Sequence, residues 1–338
     1  MGASLSLVHL VATDSFAGTE RYVSQVCGEL ADRGHRVVVI GGSSTLMRDA
    51  CGGNVTWVPG STARQAWRAL SRIDRPDVVH AHLTSAEAAA AMAKLKSRSR
   101  LVVTRHIAAR RGSSRLGALA APFIRHSVDL QLAISQFVAD RVDGSSQILT
   151  NGVPSQELRA RDRGGPVLLC QRLEREKDGA TALRAWAASG LWDSGRRLRI
   201  AGEGSERSAM ESLANALGVR SSVDFLGFVV DVQSEMLTAG ALLATAPAEP
   251  LGLTVLEAMA LGLPVIACEG GGHVETVGVV DRQWLFPSGD HAACAALLDR
   301  LDESDANLDA YSDRLLTAQR ELFELQDHVD RLVGLYAG

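Results

Sequence analysis

Short, unbroken runs of β-branched and aliphatic residues recur along this chain, and each is followed by a segment with helical spacing. VVVI at 37–40, VVH at 78–80 and LVV at 101–103 show no polar alternation. A strand without a polar face is covered on both sides, which is the condition of a parallel sheet between two helix layers. The segment GTERYVSQVCGELADRG after the first run keeps Tyr22, Val23, Val26 and Leu30 at helical spacing, and an Ala-rich helix is expected from Ser85. Near residue 150 the pattern resets. The polar stretch NGVPSQELRARDRGGP reads as a linker, and VLLCQRL, RRLRIAGEGS, SVDFLGF and ALLATAP begin a second series. The expected fold class is therefore α/β, with two Rossmann-like, doubly wound domains facing across a cleft. The boundaries are set at 1–154 and 155–315, with a C-terminal helical segment over 316–338 that carries Leu322, Leu325, Val329, Leu332 and Tyr336 at helical spacing. Ligands of such sheets bind beyond the carboxyl ends of the strands.

At 338 residues and net charge −4, the chain is long enough for two cores and has no overall affinity for nucleic acid. No apolar run approaches the ~20 residues of a membrane span. The first residues have no basic region or cleavage site. Gly2 and Ser6 fit a loose myristoylation pattern, but a strand begins almost at once. Five scattered cysteines without a CxxC pair suit a reducing compartment, so a cytoplasmic location is expected.

Residues 249–267 read EPLGLTVLEAMALGLPVIA. Following the strand ALLATAP, this segment turns into a helix near Leu253–Thr254. The amides of Gly252, Leu253 and Thr254 then lack intrahelical acceptors and form an anion site suited to a diphosphate. Glu257, one turn in, would accept hydrogen bonds from a ribose, and Glu249, before the turn, would hold a second polyol. The plainer reading makes Glu257 a dipole partner and Glu249 a loop charge. In LCQRLEREKDG, Arg172 and Lys177 follow a strand and would meet the diphosphate, or form a solvated turn. IAGEGSER offers Gly202 and Gly204, but Arg207 stands where a dinucleotide fingerprint needs its third glycine, so a tight turn is the safer interpretation. Gly18 and Thr19 lie between a strand and a helix, where backbone can approach a phosphate or sugar.

His80, His82 and His106 end two strand patterns. His80 and His82 share a face, yet no Cys, Asp or Glu follows at ligand spacing, and no metal site is assigned. His106 would hydrogen-bond a substrate hydroxyl or sit satisfied beneath a loop. No Asp-x-Asp occurs, so no metal-held diphosphate is indicated. Between Glu87 and Asp129 there are nine basic residues and no acidic one. That stretch would meet an anionic acceptor or an acidic membrane, or form a solvated face.

With these motifs placed, the chain resembles glycosyltransferase family 4, retaining enzymes of GT-B fold. The similarity runs through AGTERYVSQVCGELADRGHRVVVI, DVVHAH, VVTRH, AGEGSER, FLGFVVD, the E-x7-E block, EGGGHVETV and the closing FELQDHVDRLVGLY. The resemblance implies that the closing helix crosses back to the N-domain. Glu249 would contact the donor sugar, Glu257 the ribose, and Arg172 and Lys177 the diphosphate with the Leu253 and Thr254 amides. Val229 would lie by the base and His106 against the donor sugar. Gly18, Gly204 and Gly252 would allow close backbone approach to the donor. The loops around Gly18–Arg21 and Arg105–Arg115 would choose the acceptor, with Thr19, Arg21, Arg105, Arg110 and Arg111 as contacts. The implied reaction is front-face, with no cofactor and no divalent metal. The partners are a nucleoside-diphosphate sugar, UDP ahead of GDP-mannose, and an acceptor that is anionic or membrane-associated, the latter placing the enzyme at the inner membrane face. Three positions depart from the family pattern: Gln171 and Asp178 stand where glycines are usual, and Ala17 replaces the first of a glycine pair. A sugar-nucleotide epimerase and a non-catalytic scaffold of the same fold remain as other readings.

Overall fold

The computed structural model of the chain describes residues 4–95, 97–112, 115–157, 163–302 and 305–338. The chain divides into two compact units, residues 1–152 with 325–338, and residues 153–324.

In the first unit the elements alternate as the apolar runs require. They are β1 (Ser6–Val11), α1 (Gly18–Asp32), β2 (Arg36–Gly41), α2 (Leu46–Cys51), β3 (Thr56–Val58), α3 (Ala63–Leu70), β4 (Val78–Ala81), α4 (Thr84–Lys94), β5 (Arg100–Arg105), α5 (Arg115–Ser127), β6 (Leu130–Ala133), α6 (Gln136–Ala139) and β7 (Gln147–Ile148). All strands are parallel, in the order β3-β2-β1-β4-β5-β6-β7. Leu7, Val8, Val39, Val102 and Val103 are essentially without exposure, as strands covered on both faces must be. The strand order reverses between β1 and β4, so the loops after these two strands flank a crevice.

The second unit repeats the plan with β8 (Val167–Cys170), α7 (Gly179–Ala188), β9 (Leu198–Ala201), α8 (Arg207–Ala216), β10 (Val223–Gly227), α9 (Val232–Thr238), β11 (Ala241–Ala244), α10 (Leu253–Ala260), β12 (Val265–Cys268), α11 (His273–Val280), β13 (Leu285–Phe286), α12 (His291–Asp299) and α13 (Asp305–Leu322). Its parallel order is β10-β9-β8-β11-β12-β13, reversing between β8 and β11. The segment expected as one closing element over 316–338 is divided. α13 belongs to the second unit, whereas α14 (Leu325–Ala337) packs Val329, Leu332 and Tyr336 into the first.

Candidate active site

In the second unit the predicted residues gather where the strand order reverses. The loop after β8 carries Gln171, Arg172 and Lys177, and the loop after β11 carries Glu249. The two loops meet in an ion pair, with Lys177 Nζ donating to Glu249 Oε2 at 2.6 Å, both side chains mostly buried. Lys177 is held from behind as well: its carbonyl accepts from Gln171 Nε2 at 2.9 Å and from Thr245 Oγ1 at 2.9 Å. Arg172 is exposed and pairs with Glu176 at 2.7 Å.

Gly252 precedes α10 at φ +96°, a left-handed conformation that a Cβ would strain. The first intrahelical bond there runs from Leu256 N–H to Gly252 O, and the amides of Gly252, Leu253 and Thr254 donate to no group among the described residues. Three free amides at the positive end of a helix dipole attract an anion. Glu257 is half-buried on the same helix. The turn ahead of α10 rests on Gly270–Gly272, where an added Cβ at Gly271 would meet Glu249 O at 2.2 Å and one at Gly272 would meet Leu251 Cα at 2.4 Å. Gly272 N–H also donates to Glu249 O at 2.6 Å. Sequence reasoning quoted this glycine run without giving it a task; three consecutive glycines after a strand were the available signal.

The other predicted residues of this unit are more dispersed. Gly204 lies in the loop after β9, which is tied to the loop after β8 by two backbone bonds: Leu173 N–H donates to Glu203 O, and Glu206 N–H donates to Leu173 O, both at 2.8 Å. Val229 is half-buried after β10, while its neighbours Phe228 and Val230 are 59% and 65% exposed. Asp178 sits in the left-handed region at φ +50° and caps α7, accepting from Thr181 N–H at 3.3 Å and Thr181 Oγ1 at 2.7 Å. Asp178 therefore holds a backbone conformation that glycine adopts freely, and its carboxylate is directed to the helix N-terminus.

In the first unit Gly18 is exposed and opens α1, with Thr19 and Arg21 half-buried beside it. Buried Glu20 folds back to accept from Ala17 N–H at 2.8 Å, which fixes the loop around Ala17. His106 follows β5 and is 7% exposed; its Nε2 lies 3.0 Å from His82 Nδ1, and Tyr22 packs edge-on at 5.3 Å. Burial lowers its pKa to about 3, so the ring is neutral.

Two expected acceptor contacts are corrected. Arg105 and Arg111 are buried and turned inward onto Glu87 and Asp143, with Arg111 also donating to Gln131 Oε1 at 2.7 Å. Buried guanidinium groups need such partners, and these are supplied by distant segments. Partial burial acts to raise the Asp143 carboxyl, but hydrogen bonds from the Arg111 amide and guanidinium outweigh it and bring it down to about 2. Lys94 is likewise paired with Asp129. The basic stretch is thus partly neutralised, and Arg110 remains exposed.

His9, His80 and His82 bring ring nitrogens within 4.8 Å of one another. All six of their nitrogens already have hydrogen-bond partners, so an ion there would have to break that network.

Residues 16–153 match the model described as Glycosyltransferase Family 4, and residues 155–314 the one described as Glycosyl transferases group 1. The chain is 30% identical over 188 residues to 2-deoxystreptamine glucosyltransferase of Streptomyces kanamyceticus, covering 52% of this chain and 48% of that protein. It is 34% identical over 131 residues to the GDP-mannose-dependent alpha-(1-6)-phosphatidylinositol dimannoside mannosyltransferase of Mycobacterium tuberculosis, covering 37% and 30%. The matched part is thus less than half the length of either relative. Among solved structures, Anabaena HepE in complex with UDP-glucose superimposes with TM-score 0.81 at 17% identity, over 98% of this chain and 99% of that one. The sucrose-phosphate synthase of Thermosynechococcus elongatus gives 0.78 at 18%, over 98% of each. With the two glycosyltransferase models together matching residues 16–153 and 155–314, the chain belongs to glycosyltransferase family 4.

Proposed function

We propose that the protein is a retaining, metal-independent glycosyltransferase that moves a sugar from a nucleoside diphosphate, UDP before GDP, to an acceptor chosen by the first unit. The observation that carries this reading is the N-terminus of α10, with three free amides, Glu249 ahead of it and Glu257 within it. The amides, Lys177 and Arg172 take up the charge that develops on the leaving diphosphate. Glu249 orients the sugar and Glu257 the ribose. The bond from the anomeric carbon to phosphate breaks as the acceptor oxygen joins on the same face, and a phosphate oxygen receives the acceptor's proton. No paired nucleophile and acid is required, in contrast to a retaining glycosidase. Exposed Phe228 and Val230, beside Val229, offer apolar surface for the base.

The acceptor is read as anionic or membrane-associated. Ile107, Leu119 and Phe123 are exposed along the stretch that carries exposed Arg110 and Arg125. Among the described residues no helix is long and apolar enough to cross a membrane. A location in the cytoplasm or at its membrane face is part of this proposal.

The testing experiment is a thermal-shift panel of UDP, GDP, ADP, dTDP and NAD, each with and without magnesium. A ligand at a hundred times its Kd stabilises by ~2.7 kcal/mol, which raises the midpoint by roughly 4–8 °C, according to whether the whole chain or one unit unfolds. One nucleoside diphosphate standing out equally with and without magnesium is expected. If none shifts the protein, the scaffold reading replaces this one.

A further inference from the structure

Six side chains of the first unit form a continuous line of hydrogen bonds. Thr104 Oγ1 meets His80 Nε2 at 2.7 Å, His80 Nδ1 meets Tyr336 Oη at 2.6 Å, and Tyr336 Oη meets His9 Nε2 at 3.3 Å. His9 Nδ1 then meets His82 Nε2 at 3.0 Å, and His82 Nδ1 meets His106 Nε2 at 3.0 Å. The line draws on β1, β4, β5 and the loops beyond β4 and β5, and α14 closes it through Tyr336.

A neutral imidazole has one N–H and one bare nitrogen, and a hydroxyl has one hydrogen. The Tyr336 oxygen could accept from both of its neighbours, but its own buried hydrogen would then have no acceptor among the described residues. Once that hydrogen is required to donate within the line, placing the hydrogen on any member places it on all the others, and only two senses remain. Burial keeps these rings neutral: His9 is lowered to about 3, and His80 and His82 lie well below the usual histidine range. The buried end selects the sense. Thr104 is 3% exposed, and its hydroxyl has His80 Nε2 as its partner and no other among the described residues. Were His80 to donate to it, the Thr104 hydrogen would be buried without an acceptor, which folded proteins avoid. Thr104 therefore donates to His80 Nε2, and His80 Nδ1–H donates to Tyr336. Tyr336 donates to His9 Nε2, His9 Nδ1–H to His82 Nε2, and His82 Nδ1–H to His106 Nε2. The remaining hydrogen of His106 falls on Nδ1, the ring nitrogen with no partner among the described residues and outside the set of buried, unsatisfied atoms.

We propose that this line fixes His106 as a neutral Nδ1–H donor to a hydroxyl oxygen of the donor sugar, with Thr104, His80, Tyr336, His9 and His82 as positioning residues. The proposal rests on the reading of His106 as a sugar contact. A neutral donor grips a hydroxyl without setting a second positive charge beside a cationic anomeric centre. It also discriminates against donors that lack that hydroxyl.

The test is long-range 15N–1H correlation of the histidine rings in the ligand-free full chain, with the His106 signals assigned by their loss in His106→Gln. Wild type and Thr104→Ser should show the hydrogen of His106 on Nδ1. Thr104→Val and Tyr336→Phe, which remove the constraint at its end and its middle, should show a mixture of both forms. Hydrogen on Nε2 in the wild type, or one unchanged form in all variants, overturns the proposal. Should Tyr336→Phe fail to fold, the Thr104 pair alone decides. In turnover with the donor found by the nucleotide panel, Thr104→Val should lower kcat about tenfold at unchanged KM, with Thr104→Ser restoring it. A purely structural loss would lower the melting midpoint and leave the ring form unaltered. The ring measurement needs no substrate, so absence of transfer in every protein would count against the transferase reading and leave the hydrogen-bond line standing.

Discussion

Lys177 and Glu249 come from loops after different strands and still meet at 2.6 Å. A lysine ammonium has three hydrogens, so one carboxylate leaves two for an anion. The pair thus connects the proposed sugar position to the proposed phosphate position. Removing the carboxylate should impair the geometry of transfer more than nucleotide affinity. Glu249→Ala is expected to lower kcat by more than tenfold while UDP or GDP affinity stays within a few-fold. Glu257→Ala should weaken nucleotide binding roughly 10–100-fold, the worth of hydrogen bonds to a charged group. Titration calorimetry beside initial rates checks both, and unchanged affinity and rate in both variants would remove these roles.

At the scale of single elements, the start of α7 shows how a departure from a family pattern is absorbed. Asp178 occupies the left-handed region, costly for most residues and tolerable for Asp, and its carboxylate caps the helix. Asp178→Ala forfeits the cap and keeps the strain, at a cost of about 2 kcal/mol. Asp178→Gly forfeits the cap and relieves the strain, at a cost of a few tenths. Thermal midpoints of the two variants decide, and equal losses would refute the account. The strand runs and the turn into α10 were legible in sequence because their signals are local: burial on both faces shows as unbroken VVVI or LVV, and a helix start follows Gly252. The inward turn of Arg105 and Arg111 was not legible. Arg111 finds Glu87 and Asp143, 24 and 32 positions away, through the pairing of β4, β5 and β6. The histidine line is equally remote from any local pattern, since His80 and Tyr336 are 256 positions apart.

At the scale of the whole molecule, the buried histidines make the first unit sensitive to acid. Above about pH 6.5 folded and unfolded rings are both neutral, and they give no pH dependence. Below it the unfolded chain takes up protons that the folded unit refuses, down to about 4 for His328 and about 3 for His9 and His106. Each such ring lowers stability by roughly 1.4 kcal/mol per pH unit in that window. Asp143 acts lower down, its stabilisation lost as pH falls from about 4 toward about 2. The second unit has one buried histidine among its described residues, His273. Hydrogen exchange between pH 7 and 5, corrected for intrinsic rates, should therefore show protection in β1, β4 and β5 falling more steeply than in β8 and β11; equal slopes would contradict this. The composition of the first unit also has a bearing on its birth. Its sheet leaves the ribosome early, whereas Tyr336 and His328, which complete its interior, belong to α14 and are translated after the whole second unit. At 5–20 residues per second that interval is roughly 10–40 s. For that time the nascent sheet stands with His80 and Tyr22 still waiting for their partners, and the later-born unit is free to close first.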